Sequence, residues 1–441
     1  MTRTNRLLAR LTLVSTILVV VPGLVSAQSL RHKMERIFDD SLRLQLGGSP
    51  DEHANHFNPD RVATSQQTID VLTRFIGANI SLFPLNSTSA SVTFDLSSGI
   101  PVRKTSSLGP VYTDRASSIG KGRTILGYNF TFMRLNKIRS LDTQSLRFTF
   151  SHEDVGEPGL GDSDNELDTV DLFMNMDLEA SVLAFYFTHG VTKRLDLSLA
   201  IPIVNVRMRA DPVAYMNSFT FVTNDSANHF FDGTTVDPVL STTPQPIDDD
   251  ATGIGDIALQ AKYNFLRGGR IELAALLGAR LATGDEDNFL GAGDPSYRVA
   301  LVASGTHEAG APHLNLAYVF HQSELVRDQV DAFLAYDHRA GDRLTLAFEV
   351  LGRFEVGERI QGSDVPNSVI ISRPVSEGTF TREVDLTNLP DFDNDHRVSG
   401  GVGIKFAPRD FFVFIANVLV PLNDGGLRPD AIATLGFEFN F

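Results

Sequence analysis

Alternation of apolar and polar residues with a period of two is the feature that most constrains this chain, because only extended strands send successive side chains to opposite faces. Leu126, Tyr128, Phe130 and Phe132 alternate with Gly127, Asn129 and Thr131. Leu195, Leu197, Leu199 and Ile201 alternate with Asp196, Ser198 and Ala200, and Ile257, Leu259, Ala261, Tyr263 and Phe265 with Asp256, Gln260, Lys262 and Asn264. The pattern recurs over 271–281, 297–303, 314–320, 330–336, 344–350, 398–406 and 433–441. A soluble sandwich also alternates, so the connections must discriminate. Short turns at 407–410, 339–342, 309–312, 266–270 and 190–194 are interleaved with longer polar loops at 421–430, 357–395, 322–328, 283–296, 205–252, 153–168 and 98–121. Such sorting is expected of an outer-membrane barrel, with short periplasmic turns on one rim and longer loops on the other.

Both termini of such a barrel face the periplasm and the strand count is even. Counting back from Phe441 to a strand at 89–97 gives about 14 strands, with 12 or 16 as alternatives. The fold class expected is all-β: a closed antiparallel transmembrane outer-membrane β-barrel with a short N-terminal helical plug. The segment 169–188 exceeds the roughly 9–11 residues a crossing needs, so it either projects above the membrane or bends near Glu179. Leu435, Phe437, Phe439 and Phe441 end the chain as an alternating apolar strand, which resembles the signal read by the bacterial barrel-assembly machinery. On a soluble protein that strand would be an aggregation-prone edge; barrel closure removes the edge.

Composition agrees. A mean hydropathy of -0.03 excludes a multispanning helical membrane protein, and a formal net charge of -16 leaves no basic surface for nucleic acid. With no cysteine there is no disulfide, thiolate metal site or cysteine nucleophile. The 31 Phe against no Trp and 8 Tyr fit a lipid-facing wall, with Tyr128, Tyr263, Tyr297, Tyr318 and Tyr336 available for interfacial girdles.

Arg3, Arg6 and Arg10 precede an apolar stretch from Leu11 to Val21 and then Val25-Ser26-Ala27, the order of a secretory signal with cleavage after Ala27. The expected organisation is a signal peptide at 1–27, an N-terminal plug or periplasmic segment at 28–87, and the barrel at 88–441. In the middle part, Met34, Ile37, Phe38 and Leu42 recur at helical spacing, and 68–75 reads as a second short helix. An amphipathic element folded into the lumen is the preferred reading, a periplasmic extension the alternative.

Parity assigns Asp196, Asp256, Lys262, Glu272, Arg280, Arg298, Glu349, Arg353 and Lys405 to the inner face. Residues of both signs there either pair across the lumen or form a selectivity ring. Interspersed inward Ala258, Ala274, Leu276, Ala300, Val302, Ala317, Ala347 and Leu351 make the lumen less polar than that of a general porin.

Other motifs carry little. Gly253-Ile254-Gly255-Asp256-Ile257-Ala258 matches a dinucleotide pattern but opens a strand, with no helix to receive a pyrophosphate. Asp391, Asp393 and Asp395 have the opening spacing of a calcium loop, but His396 stands where glycine is needed and no glutamate closes it. No local catalytic triad signature or metal centre is evident, so neither an enzyme nor a cofactor is expected.

Several segments together resemble the outer-membrane transporter family of the MetA pathway of phenol degradation, relatives by architecture of the FadL-type hydrophobic-compound channels. They are Ser107-Leu108-Gly109-Pro110-Val111-Tyr112-Thr113-Asp114-Arg115-Ala116 with Gly120-Lys121-Gly122, Gly190-Val191-Thr192-Lys193-Arg194-Leu195-Asp196 with Ile201-Pro202, Gly253-Ile254-Gly255-Asp256-Ile257 with Lys262-Tyr263, and Thr283-Gly284-Asp285 before Gly291. Ala282 stands where the family's turn has proline. The resemblance implies passive uptake of small hydrophobic or aromatic compounds across the outer membrane of a Gram-negative-type bacterium. The partners expected are outer-membrane lipid and lipopolysaccharide, the assembly machinery through the strand ending at Phe441, and a small hydrophobic ligand, with the barrel a monomer. Two alternatives stay open: a structural, adhesive or general-diffusion barrel whose long loops bind a partner, and a barrel-embedded hydrolase.

Overall fold

The computed structural model describes residues 28–46, parts of 72–103, and 107–441 apart from 154–164, 220–221, 223–224, 306, 308, 324–325, 358–367, 376–377 and 391–393. Its elements are a helix α1 (Leu30–Ser41) and the strands β1 (Thr124–Ile138), β2 (Leu146–Glu153), β3 (Asn165–Gly190), β4 (Leu195–Asn217), β5 (Ile247–Ile254), β6 (Ala258–Leu266), β7 (Ile271–Arg280), β8 (Ser296–Gly305), β9 (Gly310–His321), β10 (Gln329–Arg339), β11 (Leu344–Glu355), β12 (Ser368–Val375), β13 (Gly378–Asp385), β14 (Arg397–Arg409), β15 (Phe412–Pro421) and β16 (Leu427–Asn440). Strands of two or three residues, short 3-10 turns and helical residues between 72 and 80 complete the described set.

Twelve antiparallel strands close on themselves in the order β1, β3, β4, β6, β7, β8, β9, β10, β11, β14, β15, β16 and back to β1. The seam joins the two ends of the barrel sequence: Phe130 pairs with Leu435, and Thr124 and Phe441 exchange backbone hydrogen bonds of 3.0 and 2.8 Å. Closure leaves the ring without a free edge strand, which lipid requires because it offers no hydrogen bonds. The side chains sort accordingly. Phe130, Leu277 and Leu301 on the outside are 47%, 61% and 47% exposed, whereas Ala274, Val302 and Ala347 on the inside are fully covered. An apolar exterior on a closed barrel is stable only in a bilayer, and transmembrane barrels of this antiparallel type belong to the bacterial outer membrane. Among the described residues no helix is long and apolar enough to cross a membrane.

The wall has 12 strands, one of the two alternatives to the expected 14. The expected strand at 89–97 falls mostly outside the described residues; only Phe94–Asp95 is described, paired with Val102–Arg103. The second miscounted strand, β2, takes no place in the ring: it pairs with β3 from Leu146 opposite Met174 to Phe150 opposite Val170, and on its other edge Phe148 bridges to Thr387. The reason lies in the length of β3, which runs unbroken for 26 residues. β1 covers it only as far as Leu178, so the projecting part needs another edge, and β2 supplies it. The same excess length turns much of the expected loop 205–252 into strand: β4 continues to Asn217, and β5 pairs with it from Ile247 opposite Ala210 to Ile254 opposite Ile203. No bend occurs at Glu179, whose pairing with Arg207 sits within a continuous register.

Helix α1 lies against the inner face of this projection. Its N-cap Ser29 accepts a hydrogen bond from the His32 amide, and Leu30, Met34, Ile37 and Phe38 are buried. Phe38 meets Phe148 and Phe150 of β2 edge-on at 5.4 and 5.8 Å. Lys33 pairs with Asp249 of β5, opposite inward Met208. Helical residues also occur at 72–73, 75–77 and 79–80, and positions 68–71 of the expected second helix lie outside the described residues.

Candidate functional site

Residues 107–120, expected in an external loop, instead run through the lumen. The correction follows from their partners, which are inward side chains of wall strands. The Leu108 amide donates to Thr345 Oγ1 at 2.8 Å. The amides of Val111, Tyr112 and Thr113 converge on the Glu349 carboxylate at 2.8–3.2 Å. The Tyr112 hydroxyl meets Thr434 Oγ1 at 2.7 Å. Arg115 bonds Ser107 and Asp337 at 2.7 and 3.2 Å, and Lys262 donates to the carbonyls of Arg115 and Ser117 at 2.8 and 3.0 Å. Asp196 accepts from Ser118 Oγ and the Ile119 amide at 2.6 and 3.1 Å.

The segment then leaves by the short-turn rim. Gly120 and Gly122 have φ of 97° and 75°, a conformation that only glycine adopts freely. Gly122 N donates to Gly190 O at 2.7 Å, and a Cβ on Gly190 would sit 1.9 Å from Gly120 O. The plug thus docks on the turn that begins the Gly190–Asp196 motif.

Every inward charge named from parity has a definite place. Asp196, Lys262 and Glu349 hold the plug. Asp256 accepts from the amides of Gly284 and Ala292 at 3.0 and 2.9 Å; it fastens the loop 283–296 over the break between β5 and β6, where Thr283 Oγ1 also donates to Gly255 O at 2.8 Å. Two motifs distant in sequence are therefore one structural joint. Glu272 accepts from the Gly268 amide at 3.4 Å and serves its own turn. Lys405 is fully buried, and its Nζ has no hydrogen-bond partner in the protein. Arg280, Arg298 and Arg353 line a lumen cavity of about 160 Å³ against the plug residues Tyr112 and Asp114.

Parity would also have found residues that were not singled out. On β10, Val330, Leu334 and Tyr336 face outward, which places Asp331, Phe333 and Asp337 inside; all three are buried. Asp331 and Phe333 line the arginine cavity. Arg298 lies 3.8 Å from both Asp114 and Asp331. The guanidinium groups of Arg298 and Arg353 lie 5.6 and 5.9 Å from the centre of the Phe333 ring. Plug residues of unremarkable sequence, such as Val111, act through backbone amides and leave no side-chain signal.

Ser304, His313 and Asp337 form a hydrogen-bonded chain: Ser304 Oγ to His313 Nδ1 at 2.8 Å and His313 Nε2 to Asp337 Oδ2 at 3.0 Å. A hydrolytic triad has the acid on Nδ1 and the serine on Nε2; here the order is reversed. Ser304 Oγ also accepts from the Ala116 amide at 2.9 Å. All three residues are buried beneath the plug, so the chain is an anchor for the plug with no room for an acyl substrate. Among the described residues no cluster of metal-binding side chains occurs.

Farther up, the inner face is apolar. Met174, Met176 and Leu178 of β3 and Val206 and Met208 of β4 are buried in one cluster with Met34, Ile37 and Phe38 of α1. The lumen is therefore polarised, charged around the plug and apolar around the helix.

No functionally curated protein matches the sequence. Among solved structures, the chain is similar to the COG4313 outer membrane channel from Pseudomonas putida F1, with 11% identity over 74% of this chain and 98% of the other at a TM-score of 0.40. It is also similar to the CymD monoaromatic hydrocarbon channel, with 10% identity over 73% and 89% at a TM-score of 0.31, and to a Pseudomonas aeruginosa FadL homologue, with 9% identity over 72% and 89% at 0.30. Residues 160–350, which run from just before β3 into β11, match the family of the MetA-pathway of phenol degradation, which bears out the resemblance carried by the motifs at 190–202, 253–263 and 283–291.

Proposed function

We propose that this barrel is an outer-membrane channel for passive uptake of small hydrophobic or aromatic compounds. The observation that carries the reading is the polarised lumen. An apolar inner wall of Met174, Met176, Leu178 and Met208 at the long-loop end leads toward a cavity that includes Tyr112, Tyr186 and Phe333. A general-diffusion pore needs a water-filled passage, and apolar lining is what favours cargo that leaves water readily. Helix α1 covers the apolar wall and residues 107–120 fill the charged end, so passage requires one or both to shift. The match over 160–350 to a family of phenol degradation supports the cargo class, phenol being a small aromatic compound. Lipid, lipopolysaccharide and the assembly machinery that inserts barrels are the partners this reading requires, and a single closed barrel suffices for it.

The test is transport by the purified full chain in liposomes. Toluene or phenol entering faster than into protein-free liposomes is the expected result. Equal rates for both probes would overturn the reading.

A further inference from the structure

We infer that the lumen cavity above the plug is a binding site for a small aromatic carboxylate of benzoate size. The inference deepens the channel reading and depends on it for the route by which a ligand reaches the cavity. Charge comes first. Three strands contribute Arg280, Arg298 and Arg353, while the lining carboxylates are Asp114 and Asp331, so the lining carries one positive charge in excess. In a lumen walled by protein and lipid, guanidinium groups that outnumber the carboxylates lining the same cavity favour an anionic ligand.

The central arginine is not committed to either neighbour. Arg298 stands 3.8 Å from Asp114 and 3.8 Å from Asp331, beyond the roughly 2.7–3.2 Å of a hydrogen bond. Its Nε and Nη2, and Oδ1 of Asp331, have no hydrogen-bond partner in the protein. A guanidinium held between two carboxylates at that distance is free to turn its planar fork onto a third, which it binds through two parallel hydrogen bonds. Arg115, by contrast, closes on Asp337 to 3.2 Å in the same lumen.

The aromatic part follows from Phe333. Its ring has Arg298 and Arg353 within 6 Å of its centre, and Tyr186 and Leu276 belong to the same lining. A planar ring packed there places its carboxylate among the guanidinium groups. The volume of about 160 Å³ suits one ring, since a cavity of about 150 Å³ takes benzene. Arginine at a channel constriction is also the residue type that selects anions.

Binding of radiolabelled benzoate to the detergent-purified full chain tests this, with benzyl alcohol as the neutral partner of similar shape. Each variant is first shown to be folded by its heat-modifiable gel migration. Benzoate is expected to bind at least about tenfold more tightly than benzyl alcohol, the worth of a charge-assisted hydrogen bond. R298Q is expected to remove that preference, and R298K to restore part of it. Equal affinity of the two probes for the native chain, or benzoate binding unaffected in both R298Q and R353Q, would overturn the site. The wild-type comparison decides even if a variant fails to fold. Toluene entry into liposomes without benzoate binding would sink this inference and leave the channel reading standing; benzoate binding without entry of any probe would sink the channel reading alone.

Discussion

Glu349 holds the backbone of Tyr112 with both carboxylate oxygens, the Tyr112 amide lying 3.0 Å from one and 3.1 Å from the other. A single wall side chain thereby fixes the turn of the plug, and it also takes the amides of Val111 and Thr113. Hydrogen bonds to a buried charge are worth about 1.5–3 kcal/mol each, against about 1 kcal/mol between neutral groups. Glu349 is therefore the contact on which the seating of the plug depends most.

E349Q replaces one accepting oxygen with a group that cannot accept. Hydrogen exchange at Val111, Tyr112 and Thr113 is expected to accelerate by about tenfold or more, while exchange in β16 is unchanged. Toluene entry into liposomes should rise in parallel. Unaltered exchange at these amides would show that the plug is seated by other contacts.

Phe38→Ala removes the ring that packs on Phe148 and Phe150. Truncating a buried Phe costs about 3–5 kcal/mol, and a helix of 12 residues is marginal in water without its packing. Helix α1 should become cleavable by added protease while the closed barrel keeps its heat-modifiable migration. Protection of α1 equal to that of the native chain would contradict the packing described.

Leu301→Arg puts a charge on the outer face near the middle of β8, where the native side chain is 47% exposed. In lipid this costs about 2–4 kcal/mol at mid-depth. Urea titration in phospholipid vesicles should show a loss of that size. If Leu301 faced water or another protein surface instead, the change would be nearly neutral.

A serine-directed fluorophosphonate is expected to leave the native chain unlabelled, and S304A to leave the folded barrel intact. Ser304 accepts from the plug and its histidine is bonded in the reverse sense to a hydrolytic triad. Labelling that S304A abolishes would reopen the barrel-hydrolase alternative.

Much of the lumen was legible through parity. Once Leu195, Leu197 and Leu199 are assigned to lipid, Asp196 must point inward, and the same rule placed Lys262, Arg298, Glu349 and Arg353 before any contact was seen. It would have placed Asp331 and Asp337 as well. What parity cannot show is what an inward residue touches. Leu108 and Thr345 are separated by 237 positions, and nothing local to 107–116 distinguishes a segment threaded through a barrel from one arched above it. Both are rich in glycine, proline and small polar residues.

Alternation, sorted loops and an apolar outer face determined by themselves that this chain closes into an antiparallel outer-membrane barrel, because no other arrangement satisfies strand backbones while exposing Phe130, Leu277 and Leu301 to lipid. Strand number and the path of 107–120 were decided only by the tertiary structure. β2 alternates as a wall strand does because Leu146, Phe148 and Phe150 pack into the buried apolar cluster, but it has only one wall strand, β3, for a neighbour and meets the segment at Thr387 on its other edge; the period reports burial and is silent on partners. Ring closure and the docking of the plug are settled by contacts between residues hundreds of positions apart, and their free energy resides in the assembled lumen rather than in any segment of the chain.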